Sequence, residues 1–403
     1  MSLKTDIAIV GGGLVGGALA AGAARAGFNV TVLDAAEPPS PPGAGDWYAP
    51  RVVALARASE RFLKDSGTWA HLDPSRCQPY RAMRVWESAG APFDSDALAF
   101  SATDLGEPNL GFIIENEALA AAAYRAATDL PNVVWRDGSR VDDMTIGERA
   151  VRLTTSAGES VSASLLVAAD GARSDMRDRL GVGVREGDYT QRAVVTHVRT
   201  GGSHEDTAWQ RFLPSGPLAL LPLADGSTSI VWSTTPDHAQ ALLDFSDDAF
   251  CDKLEQASAG VLGAVEACGP RFSFPLRWLH AERYTGARFA LAGDAAHVVH
   301  PLAGLGANLG LQDAADLVDA LKQASSSGRD IGDGPVLRPY ARRRRADNAL
   351  MLSALSQINR LFSGDQFALS LTRRFGLRGV NTFAPLKRFF ARRAMGLGGA
   401  GRS

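Results

Sequence analysis

The stretch from residue 291 to residue 313 combines residue types that can hold a charged ligand. An apolar strand predicted at Phe289 to Ala292 ends in Gly293-Asp294, and a turn rich in proline and glycine then leads into a helix that begins near Gly306. The first N–H groups of a helix have no acceptor inside the helix and carry partial positive charge, so they stabilise an anionic ring or phosphate. Asp294 supplies a carboxylate acceptor for a sugar-like hydroxyl. The alternative interpretation is an ordinary strand, turn and helix with an aspartate cap.

A glycine-rich turn near the start of the chain follows a short apolar run, Asp6 to Val10, and precedes an alanine-rich helical stretch that ends at Gly27. The order of strand, glycines and helix is the context that the dinucleotide-binding fingerprint GxGxxG requires. In this pattern the first glycine allows a tight turn, the second lets the backbone approach a pyrophosphate, and the third lets helix and strand pack closely. The residues of this turn that we assign to the site are Gly11, Gly13, Leu14, Val15 and Gly16.

An acidic residue lies where the fingerprint needs one. A second strand predicted at Val30 to Leu33 ends at Asp34, about twenty residues beyond the glycines, which is the place of the carboxylate that binds a ribose hydroxyl. The two segments together predict a site for FAD, because a reduced flavin carries negative charge on its pyrimidine edge and a helix N-terminus stabilises that charge without a formal cation.

The composition is that of an ordinary globular protein. The chain has 403 residues, of which 45% are hydrophobic and 21% charged, and its net charge of -2 gives no overall attraction to nucleic acid. Cys77, Cys251 and Cys268 lack paired spacing, which favours a reducing compartment over a disulfide framework or a zinc site. No run reaches the roughly 18 apolar residues of a membrane span, and the glycine spacing after Asp6 argues against a signal peptide. We therefore expect a cytoplasmic protein without a metal site.

Periodicity and turn signals predict the remaining elements. Arg51 is predicted to open a helical stretch, and Asp170-Gly171 is predicted to join a buried strand to a short helix. The other predicted elements are strands at 165–168, 193–198, 208–213, 218–223 and 227–232 and helices at 311–322 and from 335 to about 361.

These elements predict an α/β fold, a Rossmann-like FAD-binding domain with an inserted antiparallel β-sheet substrate domain and C-terminal helices. Because the nucleotide-binding elements are split along the chain, the FAD-binding domain is predicted in three parts. The predicted boundaries are 1–75, 106–185 and 281–330 for the FAD-binding domain, 76–105 and 186–280 for the substrate domain, and 331–403 for the C-terminal helical region.

The motifs give the chain a resemblance that runs nearly from end to end. It resembles the ring hydroxylases of ubiquinone biosynthesis, which are class A flavin monooxygenases with the para-hydroxybenzoate hydroxylase fold. The segments that carry the resemblance are the GxGxxG turn with Asp34, 51–55, 83–86, 111–116, Asp170-Gly171, 212–222, Val231-Trp232, Gly293-Asp294, 301–310 and 343–348.

The resemblance implies roles for individual residues. Asp170 belongs to a motif linked to both FAD and the nicotinamide donor, and the carbonyl of Pro301 lies near the flavin carbon that binds oxygen, so Pro301 is assigned to the catalytic site. Leu305 stands where relatives commonly have glutamine, and a polar side-chain contact is lost there. The residues implied to bind FAD are Gly11, Gly13, Leu14, Val15, Gly16, Asp34 and Arg51 at the adenosine and pyrophosphate half, Asp294 and Asn116 at the ribityl chain, and Gly304 with the backbone of Gly306, Ala307 and Asn308 at the flavin ring.

The activity that the resemblance implies is FAD-dependent hydroxylation of the aromatic ring of a polyprenyl phenol or benzoquinol. Reduced flavin reacts with O2 to give a C4a-hydroperoxide, which decays to hydrogen peroxide when water reaches it, so the protein must supply a dry pocket. The substrate ring is already nucleophilic. We therefore assign no catalytic base and interpret His297 and His300 as structural residues. NAD(P)H is a candidate electron donor. The alternatives are a non-catalytic flavin-binding scaffold of a quinone-biosynthesis complex, or a reductase or halogenase of the same superfamily.

The C-terminal segment 366–403 is basic and amphipathic. It has eight Lys or Arg and no Asp or Glu, and Phe383, Leu386, Phe389 and Phe390 are interleaved with the basic residues. Such a segment can lie on an anionic membrane surface, at about 1 kcal/mol per basic residue, and a polyprenyl substrate would be delivered from there. The alternative is a helix that closes the core. Nucleic acid is not an expected partner, since the aromatic residues form an apolar face.

Overall fold

The computed structural model describes residues 2–43, 47–95, 97–300 and 304–362. The strands in this part of the chain are β1 (Ser2–Val10), β2 (Val30–Leu33), β3 (Val52–Ala56), β4 (Gln78–Tyr80), β5 (Ala82–Glu87), β6 (Leu98–Ser101), β7 (Gly111–Glu115), β8 (Val133–Arg136), β9 (Val141–Ile146), β10 (Val151–Thr155), β11 (Ser160–Ala168), β12 (Val184–Thr200), β13 (Thr207–Leu213), β14 (Gly216–Pro222), β15 (Thr228–Thr234), β16 (Val265–Cys268), β17 (Phe272–Ala281), β18 (Thr285–Gly286), β19 (Phe289–Leu291) and β20 (His297–Val298). The helices are α1 (Leu14–Arg25), α2 (Arg57–Asp65), α3 (Ala102–Leu105), α4 (Asn116–Thr128), α5 (Asp175–Arg179), α6 (Pro236–Asp244), α7 (Asp247–Ser258), α8 (Leu305–Ser326) and α9 (Gly334–Phe362).

The first large sheet has a parallel centre. Its strand order is β18-β19-β11-β1-β2-β8, and β10 and β9 extend it beside β11. Strands β19, β11, β1, β2 and β8 run parallel. Helix α1 packs against β2 and also against α4 and α8. Parallel strands covered in this way are continuous apolar runs, and Ile7 to Ile9 are at most 1% exposed. The predicted α/β class is confirmed.

The carboxyl ends of these parallel strands bring four predicted site segments to one edge of the sheet. Gly11 directly follows β1 and Asp34 directly follows β2. Asp170 lies just beyond β11, and Asp294 lies just beyond β19. Ligands of open α/β sheets bind outside the carboxyl ends of the strands. Segments that are far apart in the sequence therefore meet where a nucleotide is expected.

The second large sheet is mainly antiparallel. Its order is β20-β17-β12-β15-β14-β13-β5-β6, with β16 beside β12. Among the described strands of this path, only β13 and β5 pair in parallel. The predicted strands between 193 and 232 correspond to part of β12 and to β13, β14 and β15, so the antiparallel sheet is confirmed. Helices α6 and α7 were not predicted. Each begins with a side-chain cap, from Thr235 and Ser246 respectively.

The third sheet is small and corrects one prediction. It has the order β3-β7-β4, and β3 pairs antiparallel with β7 from Val52 to Ala56. The prediction that a helix opens at Arg51 is therefore wrong, and α2 begins at Arg57. Two adjacent β-branched residues at the start of this segment favour a strand, and pairing with β7 outweighs the helical spacing of the apolar residues. β4, which begins inside the segment predicted for the antiparallel sheet, pairs with β7 instead.

Two of the three cysteines are neighbours in space. Cys251 in α7 and Cys268 in β16 are free thiols joined by a side-chain hydrogen bond. Burial raises the pKa of both thiols, that of Cys268 to about 12, so both stay protonated at neutral pH. They act as small, partly buried apolar groups that help α7 pack on β16. The spacing of the cysteines in the sequence did not reveal this contact.

A buried carboxylate joins α8 to α9 and to the end of β19. Asp313 is fully buried and accepts hydrogen bonds from Arg344 Nε at 2.7 Å, His297 Nε2 at 2.5 Å, the Gly293 N–H at 3.0 Å and Asn348 Nδ2 at 3.2 Å. Burial alone would raise the pKa of Asp313, but the charges of His297 and Arg344 and their hydrogen bonds lower it to about 2. The carboxylate is therefore ionised at neutral pH, with both its oxygens occupied. His297 is committed to this network.

No helix in the described ranges is long and apolar enough to cross a membrane. The same residues contain no group of three His, Cys, Asp or Glu side chains that could hold a metal ion.

Replacing Asp313 by alanine is expected to lower the free energy of unfolding by about 3–5 kcal/mol, because the substitution leaves the buried Arg344 charge without its partner. Denaturant unfolding followed by circular dichroism measures the change. The matched control is Asp247→Ala, which removes an ion pair to Arg271 whose aspartate is 71% exposed. That change should cost less than about 1 kcal/mol. Equal effects of the two substitutions would contradict the role given to Asp313.

Candidate functional site

The first two motifs are in direct contact at the end of β1. Gly11 has a φ of +103°, and a Cβ at this position would lie 2.3 Å from the carbonyl oxygen of Ala169 and 2.7 Å from the Cα of Asp170. A Cβ on Gly16 would lie 1.9 Å from the carbonyl oxygen of Gly11. Only glycine fits at these two positions. The turn therefore contacts the chain just after β11, at Ala169 and Asp170, and α1 follows the turn in the sequence.

Val15 joins this turn to the segment around Asp294. A Cβ on Gly310 would lie 2.7 Å from the Val15 side chain, and one on Gly293, whose φ is +64°, would lie 3.3 Å from it. Val15 thus packs between the end of β19 and the first turns of α8. The glycine-rich turn near the start of the chain and the segment around Gly293-Asp294, which the sequence predicts to form one site, therefore contact each other through this side chain.

Gly13 differs from its neighbours because the space beside it is open. A Cβ at Gly13 would meet no atom within 4 Å, whereas one at Gly12 would collide with the ring of Trp135 and with Asp34. Asp34 accepts hydrogen bonds from the Gly12 N–H at 2.5 Å and from the Ala36 N–H at 2.9 Å. The turn is closed on its Trp135 side and open beside Gly13. That opening fits a pyrophosphate next to the backbone. Trp135 was missed by sequence reasoning.

Asp294 lies just beyond β19, close enough to Arg51 for their charges to interact. Its side chain is exposed, yet protein surrounds it closely enough that burial raises its pKa. The positive charges of His297 and Arg51 act against that rise. An accessible carboxylate in a concave, partly desolvated place can accept hydrogen bonds from ligand hydroxyls. The fold therefore brings Arg51 near Asp294, although the two are 243 positions apart in the sequence.

A buried ion pair positions Arg51 and Asn116. The carbonyl of Arg51 accepts a hydrogen bond from the Asn116 N–H at 2.9 Å, so the two residues are neighbours. Glu115 is fully buried, and its carboxylate accepts from Arg76 at 2.7 and 2.8 Å and from the Ala49 N–H at 2.6 Å. Sequence reasoning missed Glu115 and Arg76. The charge of Glu115 at the end of a strand was the available signal, but its partner lies 39 positions away in the sequence.

The N-terminus of α8 is fixed to β3 by Asn308. Its Oδ1 accepts from the Ala56 N–H at 2.7 Å, and its Nδ2 donates to the carbonyls of Ala54 at 2.8 Å and Gly304 at 3.1 Å. Gly304 caps the helix with a φ of +62°, and a Cβ there would lie 2.9 Å from the backbone nitrogen of Ala54. The side chain of Asn308 is thus occupied. The backbone remains available, because the first N–H groups of an α-helix have no intrahelical acceptor.

Gly306 and Ala307 form the first turn of α8 together with Leu305. The nearest atom to a Cβ on Gly306 would be a methyl carbon of Val299 at 3.9 Å, so the backbone is open on this side. Leu305 packs against an apolar cluster that contains Val299 and Phe212. The leucine therefore joins the helix to the second sheet, in a place where a polar side chain would have no such packing.

Asp170 and Pro301 are the two remaining predicted residues. The Asp170 carboxylate accepts from Ser174 Oγ at 2.5 Å and from the Met176 N–H at 3.0 Å, so it caps α5, and burial raises its pKa. Its place beside Gly11 keeps it at the edge of the site. Pro301, the residue assigned to the catalytic site, lies outside the described residues.

The second sheet supplies an apolar wall beside this cleft. One cluster holds Val85, Phe212, Val299, Leu309 and Leu355, and so connects the sheet to α8 and α9. A second cluster connects the sheet to β3 and β7; its buried members are Ala54, Ile113, Ala208, Leu221 and Leu223. A cavity of about 510 Å³ lies nearby between β12, β17 and α9, and it is lined by residues that include Tyr189, Gln191 and His280.

The geometry fits a dinucleotide with an attached ring system. Glycines allow close approach at the β1–α1 turn, Asp34 and Asp294 supply carboxylate acceptors just beyond β2 and β19, and α8 presents its N-terminus. Comparison with known proteins decides which dinucleotide. Residues 4–348 match the family model described as FAD binding domain. The chain belongs to this family. FAD is its cofactor.

Two known proteins align with this chain over nearly its whole length. It is 39% identical over 391 residues to the ubiquinone hydroxylase UbiL of Rhodospirillum rubrum, covering 97% of this chain and 89% of the relative. It is 37% identical over 393 residues to 3-demethoxyubiquinol 3-hydroxylase of Escherichia coli, covering 98% of this chain and 99% of the relative. The predicted resemblance is confirmed.

A solved structure has the same fold. The p-nitrophenol 4-monooxygenase PnpA of Pseudomonas putida superposes on this family member with a TM-score of 0.78, at 21% identity and with complete coverage of both chains. At this level of identity the likeness concerns the fold alone.

Replacing Gly13 by alanine is expected to leave the folded protein intact but to weaken FAD binding by at least about tenfold, or roughly 1.4 kcal/mol. The reason is that the new methyl group enters the open space where the pyrophosphate comes closest to the backbone. Flavin content after gel filtration and the melting temperature of the apoprotein measure the two effects.

Two further glycines provide the comparison. Gly16→Ala should lower both the melting temperature and the flavin content, since its Cβ would collide with the Gly11 carbonyl. Gly43→Ala should change neither, because Gly43 has no atom within 4 Å of a Cβ and has no positive φ. A Gly13→Ala protein with unchanged FAD affinity would remove the pyrophosphate from this turn.

Proposed function

We propose that the chain is an FAD-dependent monooxygenase that hydroxylates the aromatic ring of a polyprenyl phenol or benzoquinol intermediate of ubiquinone biosynthesis. The observation that carries the proposal is the placement of the first turn of α8 between the nucleotide cleft and the apolar wall of the second sheet. The names of the two aligned relatives support the substrate class, since one is a ubiquinone hydroxylase and the other a 3-demethoxyubiquinol 3-hydroxylase.

The residues divide the work in this activity. Bound FAD supplies the activation of O2 once it is reduced. The β1–α1 turn, Asp34 and Arg51 would hold the nucleotide, and the N–H groups at the start of α8 would stabilise the negative charge of the reduced ring. Leu305 and Phe212 contribute to an apolar surface that keeps water away from the reacting atoms.

The proposal assigns NAD(P)H as the electron donor. The chain has one dinucleotide fingerprint, at Gly11 to Gly16, and FAD occupies it, so the donor must bind without a second fingerprint. Asp170, at the edge of the cleft beside Gly11, is the residue we assign to both nucleotides.

A second candidate is a flavin-binding scaffold without turnover. Leu305 favours the scaffold. It stands where the ring hydroxylases of ubiquinone biosynthesis commonly have glutamine, so the pocket lacks a polar side chain there. The scaffold would bind FAD but would not transfer oxygen to any quinone precursor.

The purified protein is expected to be yellow and to convert a short-chain prenyl phenol into a product heavier by one oxygen atom, with the label from ¹⁸O2. The reaction is followed by mass spectrometry after photoreduction of the flavin, so that no donor is needed. Anaerobic mixing with NADPH or NADH tests the donor separately through loss of the flavin's visible absorbance.

The outcomes separate the candidates. A colourless protein that cannot be reconstituted with FAD would defeat both, and oxygen consumption that yields only hydrogen peroxide with every phenol offered would favour the scaffold. Profiling of quinone intermediates in a strain that lacks the protein identifies the natural substrate as the compound that accumulates.

We further propose a peripheral membrane contact through segment 366–403, which lies outside the described residues. Eight basic residues without an acidic one would contribute about 1 kcal/mol each near anionic headgroups. A chain truncated after residue 365 is expected to lose association with phosphatidylglycerol vesicles in a flotation assay while it keeps its FAD. Unchanged flotation contradicts the contact, and a truncated protein that unfolds supports the core-closing helix instead.

A further inference from the structure

His300 lies at the junction of the flavin cleft and the second sheet. It is two residues beyond β20 and four residues before Gly304, the cap of α8. The preceding residue, Val299, packs next to Gly306 and in the cluster with Phe212. His300 is itself fully buried, and its ring meets the ring of Tyr189 edge-on at 4.8 Å between centroids. A substrate ring held between α8 and the second sheet therefore comes close to this histidine.

The hydrogen bonds of Gln191 determine which nitrogen of His300 carries the proton. The Gln191 amide nitrogen donates to the carbonyl of Ser215 at 3.2 Å, so the other end of the amide, Oε1, faces His300 Nε2 at 3.3 Å. An amide oxygen only accepts. The hydrogen of the neutral His300 ring is therefore on Nε2, and Nδ1 is an acceptor with a free lone pair.

The Nδ1 atom of His300 has no hydrogen-bond donor among the described residues and is closed off from solvent. His197 and His297 also have an Nδ1 without a partner. Their Nε2 atoms are bound to the Ala49 carbonyl and to Asp313, however, so these two rings serve the loop before β3 and the α8–α9 network. His300 is the one of the three that directly precedes the segment leading into α8. A buried acceptor without a donor costs free energy, which a functional role explains.

We propose that Nδ1 of His300 accepts the proton of the substrate's ring hydroxyl while oxygen is transferred to the ring. The proposal rests on the function proposed above and adds a catalytic residue to it. It also revises the interpretation of His300 as a structural residue.

The proton balance is as follows. As the ring carbon attacks the electrophilic oxygen, electrons move from the ring hydroxyl into the ring, the new C–O bond forms and the O–O bond breaks. The departing oxygen would keep the electron pair of that bond and later take up a proton from water, which balances the proton that the ring releases to water. The hydroxyl oxygen becomes strongly acidic, and its proton passes to Nδ1. When the ring regains its aromatic state, the hydrogen on the hydroxylated carbon leaves to water, and the imidazolium returns its proton to the ring oxygen. His300 ends as it began.

The protonation state of His300 suits this timing. Burial lowers the pKa of His300 to about 4, and the titratable side chain in contact with it is Tyr189. The charged groups Arg185 and Asp188 line the same cavity as Tyr189 and Gln191. The ring is thus neutral and able to accept at neutral pH. A base this weak leaves the phenol protonated in the resting complex and takes the proton only when oxygen transfer makes the hydroxyl acidic.

The test uses the holoenzyme in a single turnover, with the flavin photoreduced in the presence of a short-chain prenyl phenol and then mixed with oxygenated buffer. His300→Gln is expected to lower the yield of hydroxylated product about 100-fold or more, with the consumed oxygen appearing as hydrogen peroxide. The FAD content, and the phenol concentration that gives half of the maximal product yield, should stay within about twofold of the values for the unsubstituted enzyme. In His300→Ala, added imidazole is expected to restore product, since it can occupy the space of the missing ring and accept the proton.

Tyr189→Phe is the matched control. It keeps the edge-on ring contact with His300 and removes only the hydroxyl that bonds to Ser356 Oγ, so its product yield should match the unsubstituted enzyme. The proposal is overturned when His300→Gln retains product within threefold, when product and FAD are lost in parallel, or when imidazole fails to restore product in His300→Ala. An unsubstituted enzyme that makes no product at all contradicts the proposed function instead.

Discussion

The carboxylate of Asp313 is the interaction on which the geometry of the site depends. It accepts hydrogen bonds from a backbone N–H just beyond β19, from the histidine that begins β20 and from an arginine in α9, so two oxygens hold three separate segments together. Buried charges persist when they are paired and fully hydrogen-bonded, and this one is. Its effect is to set the position of Asp294, which directly follows the bound glycine, relative to the start of α8.

Close backbone approach provides the second constraint. Gly11 and Gly16 let the β1–α1 turn contact the end of β11, and Gly293 and Gly310 accommodate Val15. Any side chain at the tightest of these positions would force the two halves of the cleft apart. The predicted nucleotide site therefore depends on glycines that allow close backbone contacts as much as on its polar groups.

The sequence predicted those features that local pattern encodes. The fingerprint at Gly11 to Gly16, the short strands with turn breaks at β13 to β15 and the two C-terminal helices each depend on residues within one short window, and all three are present in the structure. Arg51 shows where such reasoning fails. Its neighbours have helical spacing, but pairing with β7, sixty positions away, makes them a strand.

Contacts between distant residues account for the other omissions. Glu115 with Arg76, Trp135 over Gly12, and Asp313 with Arg344 each join residues that no pattern in the sequence connects. Each of these contacts supports a predicted site residue without being predicted. The predicted binding residues are thus marked by patterns in the sequence, whereas the residues that hold them in place are not.

Strands β12 and β17 have a consequence for how a ligand can enter. They pair over most of their length, and β17 is followed within four residues by β18 of the nucleotide-binding sheet. Two paired strands are stiffer than a single connecting peptide, so we expect little hinge motion between the two sheets. A bulky substrate is then expected to enter by local displacement of side chains and loops.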